Sequence, residues 1–203
     1  MIEIERGDVW TLTINRPEKA NSLTREMLTD LADAVEEAAT AAPAALILTG
    51  VGKVFSAGAD LDAAKAGLAV DPVWERLSGA IAALPFLTIA ALNGTLAGGA
   101  FGMALACDVR VCVPTAKFFY PVMALGFLPQ PSDPGRMTKL MGPARASMIL
   151  AAGQKITADA AIEWGLVDRI CDDPLATAME LTQASAKASP HHRAAIKSLI
   201  VNG

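Results

Sequence analysis

The chain has 203 residues, 53% of them hydrophobic and 19% charged, with a formal net charge of -4. Such a chain is apolar enough to bury a large core, which excludes intrinsic disorder, and its mild acidity leaves no electrostatic footprint for nucleic acid. Cys107, Cys112 and Cys171 show no CxxC or Cys/His ligand spacing, so reduced thiols in a cytoplasmic protein are expected, and no metal site.

Met1 leads into alternating residues rather than a basic flank and an apolar run, so no signal peptide is expected. Gly, Pro or polar residues interrupt every long apolar stretch, so no membrane span is expected either. Ile2 to Arg6 alternates, Gly7-Asp8 turns, and Val9 to Ile14 alternates again, the pattern of a hairpin. Residues 15–19 read as a loop. A helix is predicted over residues 24–39, with Met27, Leu28, Leu31, Ala34, Val35 and Ala38 on one side. Residues 45–49 form a short buried strand, residues 50–58 a loop, and a helix starts near Asp60. Pro72 opens a further helix ending near residues 84–85, and residues 87–92 are another buried strand. Asn93-Gly94 turns the chain, and Gly98-Gly99 leads into a helix over residues 100–107.

Short strands follow at 109–113 and 117–119, then helices at 133–141, 143–151 and 158–163. A last strand at 167–170 precedes two helices, at 173–188 and 191–201. Strands alternate with helices throughout, so the fold class is α/β. The expected division is a core over residues 1–172 and a short C-terminal helical segment over 173–203.

Two loops carry the chemical signal. Gly52 to Leu61 and Asn93 to Gly102 each follow a buried strand and precede a helix. Small residues there let a ligand approach the backbone, and free N–H groups at a helix start can face developing negative charge. Two such groups converging on one carbonyl oxygen would form an oxyanion hole. Tight turns that allow close helix packing account for the same glycines equally well.

Several motifs in order make the sequence resemble the crotonase superfamily, the enoyl-CoA hydratase/isomerase family. They are Asn15-Arg16-Pro17-Glu18-Lys19-Ala20-Asn21-Ser22-Leu23, Phe55-Ser56-Ala57-Gly58-Ala59-Asp60-Leu61, Ala97-Gly98-Gly99, Ala104 to Arg110, and Leu125-Gly126-Phe127-Leu128-Pro129. Ile156-Thr157-Ala158 and Trp164 to Val167 complete the set. The resemblance implies a crotonase (ClpP/crotonase-like) fold, a spiral of ββα units with C-terminal helices. It implies a backbone oxyanion hole at Ala59 and Gly99, with Ala57, Gly58, Asp60 and Leu61 along the acyl-thioester. Lys19 and Ala20 would line the site of coenzyme A, which is part of the substrate; no permanently bound cofactor is implied. Lys19 is equally a solvated loop cation. A homotrimer or hexamer is implied too, although relatives continue into a helical segment beyond Gly203.

Hydratases of this family place two glutamates about a water. The aligned positions here are Gly102 and Val122, neither of which transfers a proton. Between residues 76 and 158 the only acids are Asp108 and Asp133. Asp108 reads as structural. Asp133 is a candidate base or nucleophile, but also a good N-cap before Pro134. Tyr120 can donate a hydrogen bond near the acyl group, or be a core aromatic with a satisfied hydroxyl. Asp60 suits a helix start whatever its chemistry. Leu61, Leu68, Trp74, Phe101, Phe119, Met123 and Phe127 are candidates to line an apolar acyl pocket. Three readings stay open: an enolate-stabilising acyl-CoA enzyme with a nonstandard acid/base group, a conventional hydratase, and a non-catalytic acyl-CoA-binding protein.

Overall fold

The computed structural model describes residues 1–202. Strands β1 (Ile2–Glu5) and β2 (Val9–Ile14) form the expected antiparallel hairpin. Helix α1 (Arg25–Ala41) begins where the Thr24 side chain accepts the Met27 N–H, and it buries Leu28, Leu31 and Val35 completely. Each of those side chains stabilises the fold by about 1.5–3 kcal/mol relative to exposure.

β3 (Ala45–Gly50), β5 (Leu87–Leu92), β7 (Val109–Cys112) and β10 (Arg169–Ile170) continue the sheet in the order β1-β2-β3-β5-β7-β10. Every pairing after the hairpin is parallel. Parallel strands need both faces covered. Leu46 and Leu48 point into the main core, while Ile47 joins Ile89, Ala91 and Val111 on the opposite face. Ala178 of α8 (Pro174–Leu181) closes that second face.

A second, four-stranded sheet runs β4 (Val54–Ser56), β6 (Thr95–Ala97), β8 (Lys117–Phe119) and β9 (Ile156–Thr157). Three units therefore repeat one path. β3, β5 and β7 sit in the large sheet; β4, β6 and β8 follow them into the small one. A helix comes next each time: α2 (Leu61–Lys65), α4 (Phe101–Ala106) and α5 (Val122–Leu125). This is the spiral of ββα units that the resemblance implies.

Several elements differ from expectation. β4, β6, β9 and α5 are two to four residues long, too short to show a period, and exist because neighbouring strands or the cavity wall receive them. The strand expected at 167–170 keeps only Arg169–Ile170, because Asp168 turns its carboxylate onto the Arg110 backbone N–H and guanidinium. The helix expected over 173–188 is interrupted at Thr182, giving α8 and α9 (Gln183–Lys187). α3 (Val73–Ala83), α7 (Ala158–Trp164) and α10 (Pro190–Asn202) lie where the pattern puts them. α6 (Asp133–Leu150) is interrupted at Gly142, whose φ of 79° lets the chain restart at Pro143, so the two expected helices are distinct.

Two asparagines fasten the loop after β3. Asn21, fully buried, accepts the Arg16 N–H and donates to the Val51 and Val54 carbonyls. Asn93 accepts the Gly50 N–H and donates to the Gly52 and Val54 carbonyls. Asn21→Ala should lower the free energy of unfolding by about 2–4 kcal/mol, because buried backbone groups lose their partner. Denaturant titration checks this; a change below about 0.5 kcal/mol would make the asparagine dispensable.

Candidate active site

β4, β6 and β8 are parallel neighbours, so their C-terminal ends lie side by side. The residues that leave them, Ala57 and Ala59, Gly98 and Gly99, and Tyr120 to Val122, all line one cavity of about 320 Å³. Leu61, Ala64 and Lys65 of α2 complete its wall with Ala69, Trp74, Leu125, Phe127, Leu128 and Gln130. This volume is at the lower end of small-molecule sites, and the lining is mostly apolar.

The backbone at the centre is unusual. Leu23 donates to the Gly58 carbonyl and accepts from the Asp60 N–H, which skips the Ala59 N–H between them. The Gly99 N–H lies in the first turn of a short 3-10 helix over Gly98–Ala100. Neither N–H finds an acceptor among the described residues. Gly58, at φ +88°, brings the two loops together: a Cβ there would lie 2.8 Å from the Ala97 oxygen and 3.3 Å from the Gly99 nitrogen. Ser56 holds this loop, donating to the Asn21 carbonyl and accepting the Gly58 N–H. The Trp74 ring packs against Gly99 on the other side, with its Nε1 donating to the Leu68 carbonyl.

Tyr120 forms the third edge. Its ring stacks on Phe101 with centroids 5.5 Å apart. Its hydroxyl donates to Asp133 Oδ2 at 3.0 Å and accepts the Gln130 N–H at 3.2 Å. Asp133 is fully buried and does not cap α6; the N-cap position is Ser132. The inward hydrogen bond to Tyr120 replaces the local one, which overturns the capping role. Gly102 makes room for that carboxylate, since a Cβ at position 102 would stand 3.0 Å from Asp133 Oδ1. Asp133 Oδ1 itself has no hydrogen-bond partner among the described residues. Burial pushes the Asp133 carboxyl up to about 7, against the opposing hydrogen bond from Tyr120. Burial also pushes the Tyr120 hydroxyl upward, and the neighbouring Asp133 charge adds to this.

Other expected site residues lie apart. Lys19 is exposed in a single 3-10 turn, and neither it nor Ala20 lines the cavity; Ala20 accepts the Ala57 N–H and so steadies the loop. Asp60 caps α2 and pairs with Arg16 at 2.9 Å, which holds its carboxyl below its ordinary range. Leu61, Trp74 and Phe127 line the cavity, whereas Leu68 and Phe101 are core. Phe119 and Met123 do not line it. Asp108 binds Thr88 and Lys197, a structural role as read. Cys107 is buried, and desolvation pushes its thiol up to about 12, which makes it inert. Gln130 was invisible in the sequence, because it acts on Tyr120 through its backbone N–H, which every residue but proline carries. Among the described residues no group of three His, Cys, Asp or Glu is placed to hold a metal, and no helix is long and apolar enough to cross a membrane.

The family model described as enoyl-CoA hydratase/isomerase matches residues 4–203. The chain belongs to the enoyl-CoA hydratase/isomerase family, and its α/β fold is the crotonase fold. It is 35% identical over 187 residues to the Mycobacterium tuberculosis protein named probable enoyl-CoA hydratase EchA14, covering 89% of this chain and 73% of that one. It is 33% identical over 180 residues to the Escherichia coli 1,2-epoxyphenylacetyl-CoA isomerase, covering 84% of this chain and 68% of the relative. The crystal structure of an enoyl-CoA hydratase from Bacillus anthracis superposes with a TM-score of 0.90 at 30% identity, over 99% of this chain and 82% of that one.

Gly58→Ala should abolish acyl-CoA binding while leaving a folded protein, because the new methyl group must part the two loops. Calorimetric titration with an acyl-CoA checks it; unchanged affinity would remove this loop pair from the site. Asp133 sets a second expectation. Its folded pKa lies above the ordinary 3.8, so the folded state favours the protonated form. The contribution of Asp133 to stability is then fullest below pH 4 and declines as pH rises towards 7, by roughly 1–3 kcal/mol between pH 5 and 7. Asp133→Asn should flatten that decline in melting scans; parallel pH profiles for the two proteins would contradict it.

Proposed function

We propose that this chain is an acyl-CoA-processing enzyme that stabilises a thioester enolate between the Ala59 and Gly99 N–H groups. The observation that carries the reading is that pair of unpartnered N–H groups, on adjacent strand ends, at the wall of one apolar cavity. A thioester activates its α-carbon, and enolate formation places charge on the oxygen. N–H groups fixed in an apolar cavity hold that charge without reorganising, and removing one such donor typically costs about 10²–10³ in rate. The relatives' names, which include a CoA-thioester isomerase and a probable hydratase, support the substrate class.

Ordinary two-glutamate hydration does not fit the side chains. Position 102 is a glycine beside Asp133, and position 122 is a valine in the cavity wall. On this reading Ala57, Gly58 and Leu61 border the acyl-thioester, and coenzyme A enters as part of the substrate. Lys65 lies in the cavity wall, and Lys19, exposed in its loop, serves the phosphates. The exposed Ile196, Leu199, Ile200 and Val201 of α10 offer apolar surface for the homotrimer or hexamer. A second reading, acyl-CoA binding without turnover, is favoured by one observation. The cavity wall carries no carboxylate among the described residues.

Crotonyl-CoA and hexanoyl-CoA separate these readings. The enzyme should bind both, hydrate crotonyl-CoA slowly or not at all, and exchange the α-protons of hexanoyl-CoA with deuterated water. Rapid loss of the enoyl-thioester absorbance would show that hydration does not need carboxylates at 102 and 122. Binding without exchange would favour the non-catalytic reading.

A further inference from the structure

Among the described residues, only two side chains in the cavity wall carry a transferable proton. One is Lys65, 78% exposed at the mouth and 3.8 Å from Asp62. The other is Tyr120, which is 4% exposed. A phenol hydroxyl has one proton and two lone pairs. The proton of Tyr120 is committed to Asp133 Oδ2, and one lone pair to the Gln130 N–H. The second lone pair has no donor among the described residues. Asp133 lies behind Tyr120, is absent from the cavity wall, and occupies space cleared by Gly102. Each of these features is costly or needless for a merely structural tyrosine. A buried carboxylate with one oxygen unpartnered is destabilising.

Resting on the enolate reading, we propose that Tyr120 is the catalytic proton-transfer residue and that Asp133 acts through it. In the forward step the α-C–H bond breaks and its proton passes to Tyr120 Oη. The Tyr120 O–H bond breaks at the same time, and that proton passes to Asp133 Oδ2. The C–H electron pair becomes the enolate π bond, and the charge arrives on the thioester oxygen held by Ala59 and Gly99. Tyrosine is neutral before and after; Asp133 goes from carboxylate to acid. Reversal returns the proton to carbon, and nothing is oxidised or reduced. The Phe101 stack and the Gln130 N–H fix the direction of the hydroxyl, which is their part in the step.

The charged groups facing Asp133 are few. Arg136 lies one turn further along α6, and Glu75 of α3 holds the Ser132 N–H and hydroxyl; α4 presents only Gly102. The relay needs Asp133 ionised, so exchange should rise with pH and level off above about 7, where burial has moved this carboxyl.

The test measures α-proton exchange of hexanoyl-CoA in deuterated water, by mass spectrometry, for wild type, Tyr120→Phe and Asp133→Asn. Affinity is measured alongside by calorimetry, and folding by circular dichroism. Both variants should bind within a fewfold of wild type and exchange at least about 10²-fold more slowly, with the pH dependence gone. Exchange by Tyr120→Phe at the wild-type rate, or a wild-type rate independent of pH between 5 and 9, overturns the relay alone. A wild type that binds but never exchanges overturns the relay and the enolate step together. A wild type that does not bind hexanoyl-CoA overturns the reading on which both rest.

Discussion

The site depends on one constraint, the parallel pairing of β4, β6 and β8. Three strands of three residues each contribute little stability by themselves. Parallel pairing requires each to arrive by a crossover from the large sheet, so each ββα unit must wind the same way. Their C-terminal ends then stand in a row, at the usual place for ligands in parallel α/β sheets. Ala59, Gly99 and Tyr120 leave three successive ends of that row. The segments that leave three repeated units thus supply two backbone N–H groups and one hydroxyl-bearing residue to a single cavity.

Gly102 and Asp133 form a linked pair. The backbone at 102 and the carboxylate at 133 approach so closely that a side chain at 102 must displace Oδ1. A side chain from α4 and the carboxylate from α6 therefore compete for that space. Burying the carboxylate raises its pKa, and the Tyr120 hydrogen bond only partly offsets this. The resulting group is poised near neutrality. A surface aspartate is ionised there too, but its low pKa makes it a weak proton acceptor.

Much of the fold was legible because long elements carry their own period. α1 shows its buried stripe over 17 residues, and β3 and β5 are apolar on both faces because helices cover both sides. Gly142-Pro143 marks the interruption of α6 in the residues themselves. Strands of two or three residues have no period, so β4, β6 and β9 appear only when their partners are in place. Ala59 and Gly99 are singled out by family motifs rather than by chemistry, since a backbone N–H has no residue type. Asp133 was half legible. Its place before Pro134 favours a cap, and only the fold reveals that Tyr120, 13 residues earlier, offers the better partner. Local rules lose to tertiary contacts when a buried hydroxyl competes with a solvated helix end.

Among the described residues, Lys65 is the one charged side chain in the cavity wall. Arg16, half-buried, pairs with Asp60 through Nη1, which also donates to the Ser22 carbonyl and hydroxyl. Lys65 is in water at the mouth. A fixed cation inside the cavity would attract any anion, including carboxylic acids that carry no thioester. Two neutral N–H groups in an apolar wall favour an oxygen only as its charge develops. On the proposed reading that selects for the transition to the enolate over ground-state binding of acids. It also explains why a raised carboxyl suits the position behind Tyr120. An ionised Asp133 close to the cavity would oppose the enolate charge. A group that becomes neutral as the enolate forms relieves that repulsion at the moment the oxygen becomes negative.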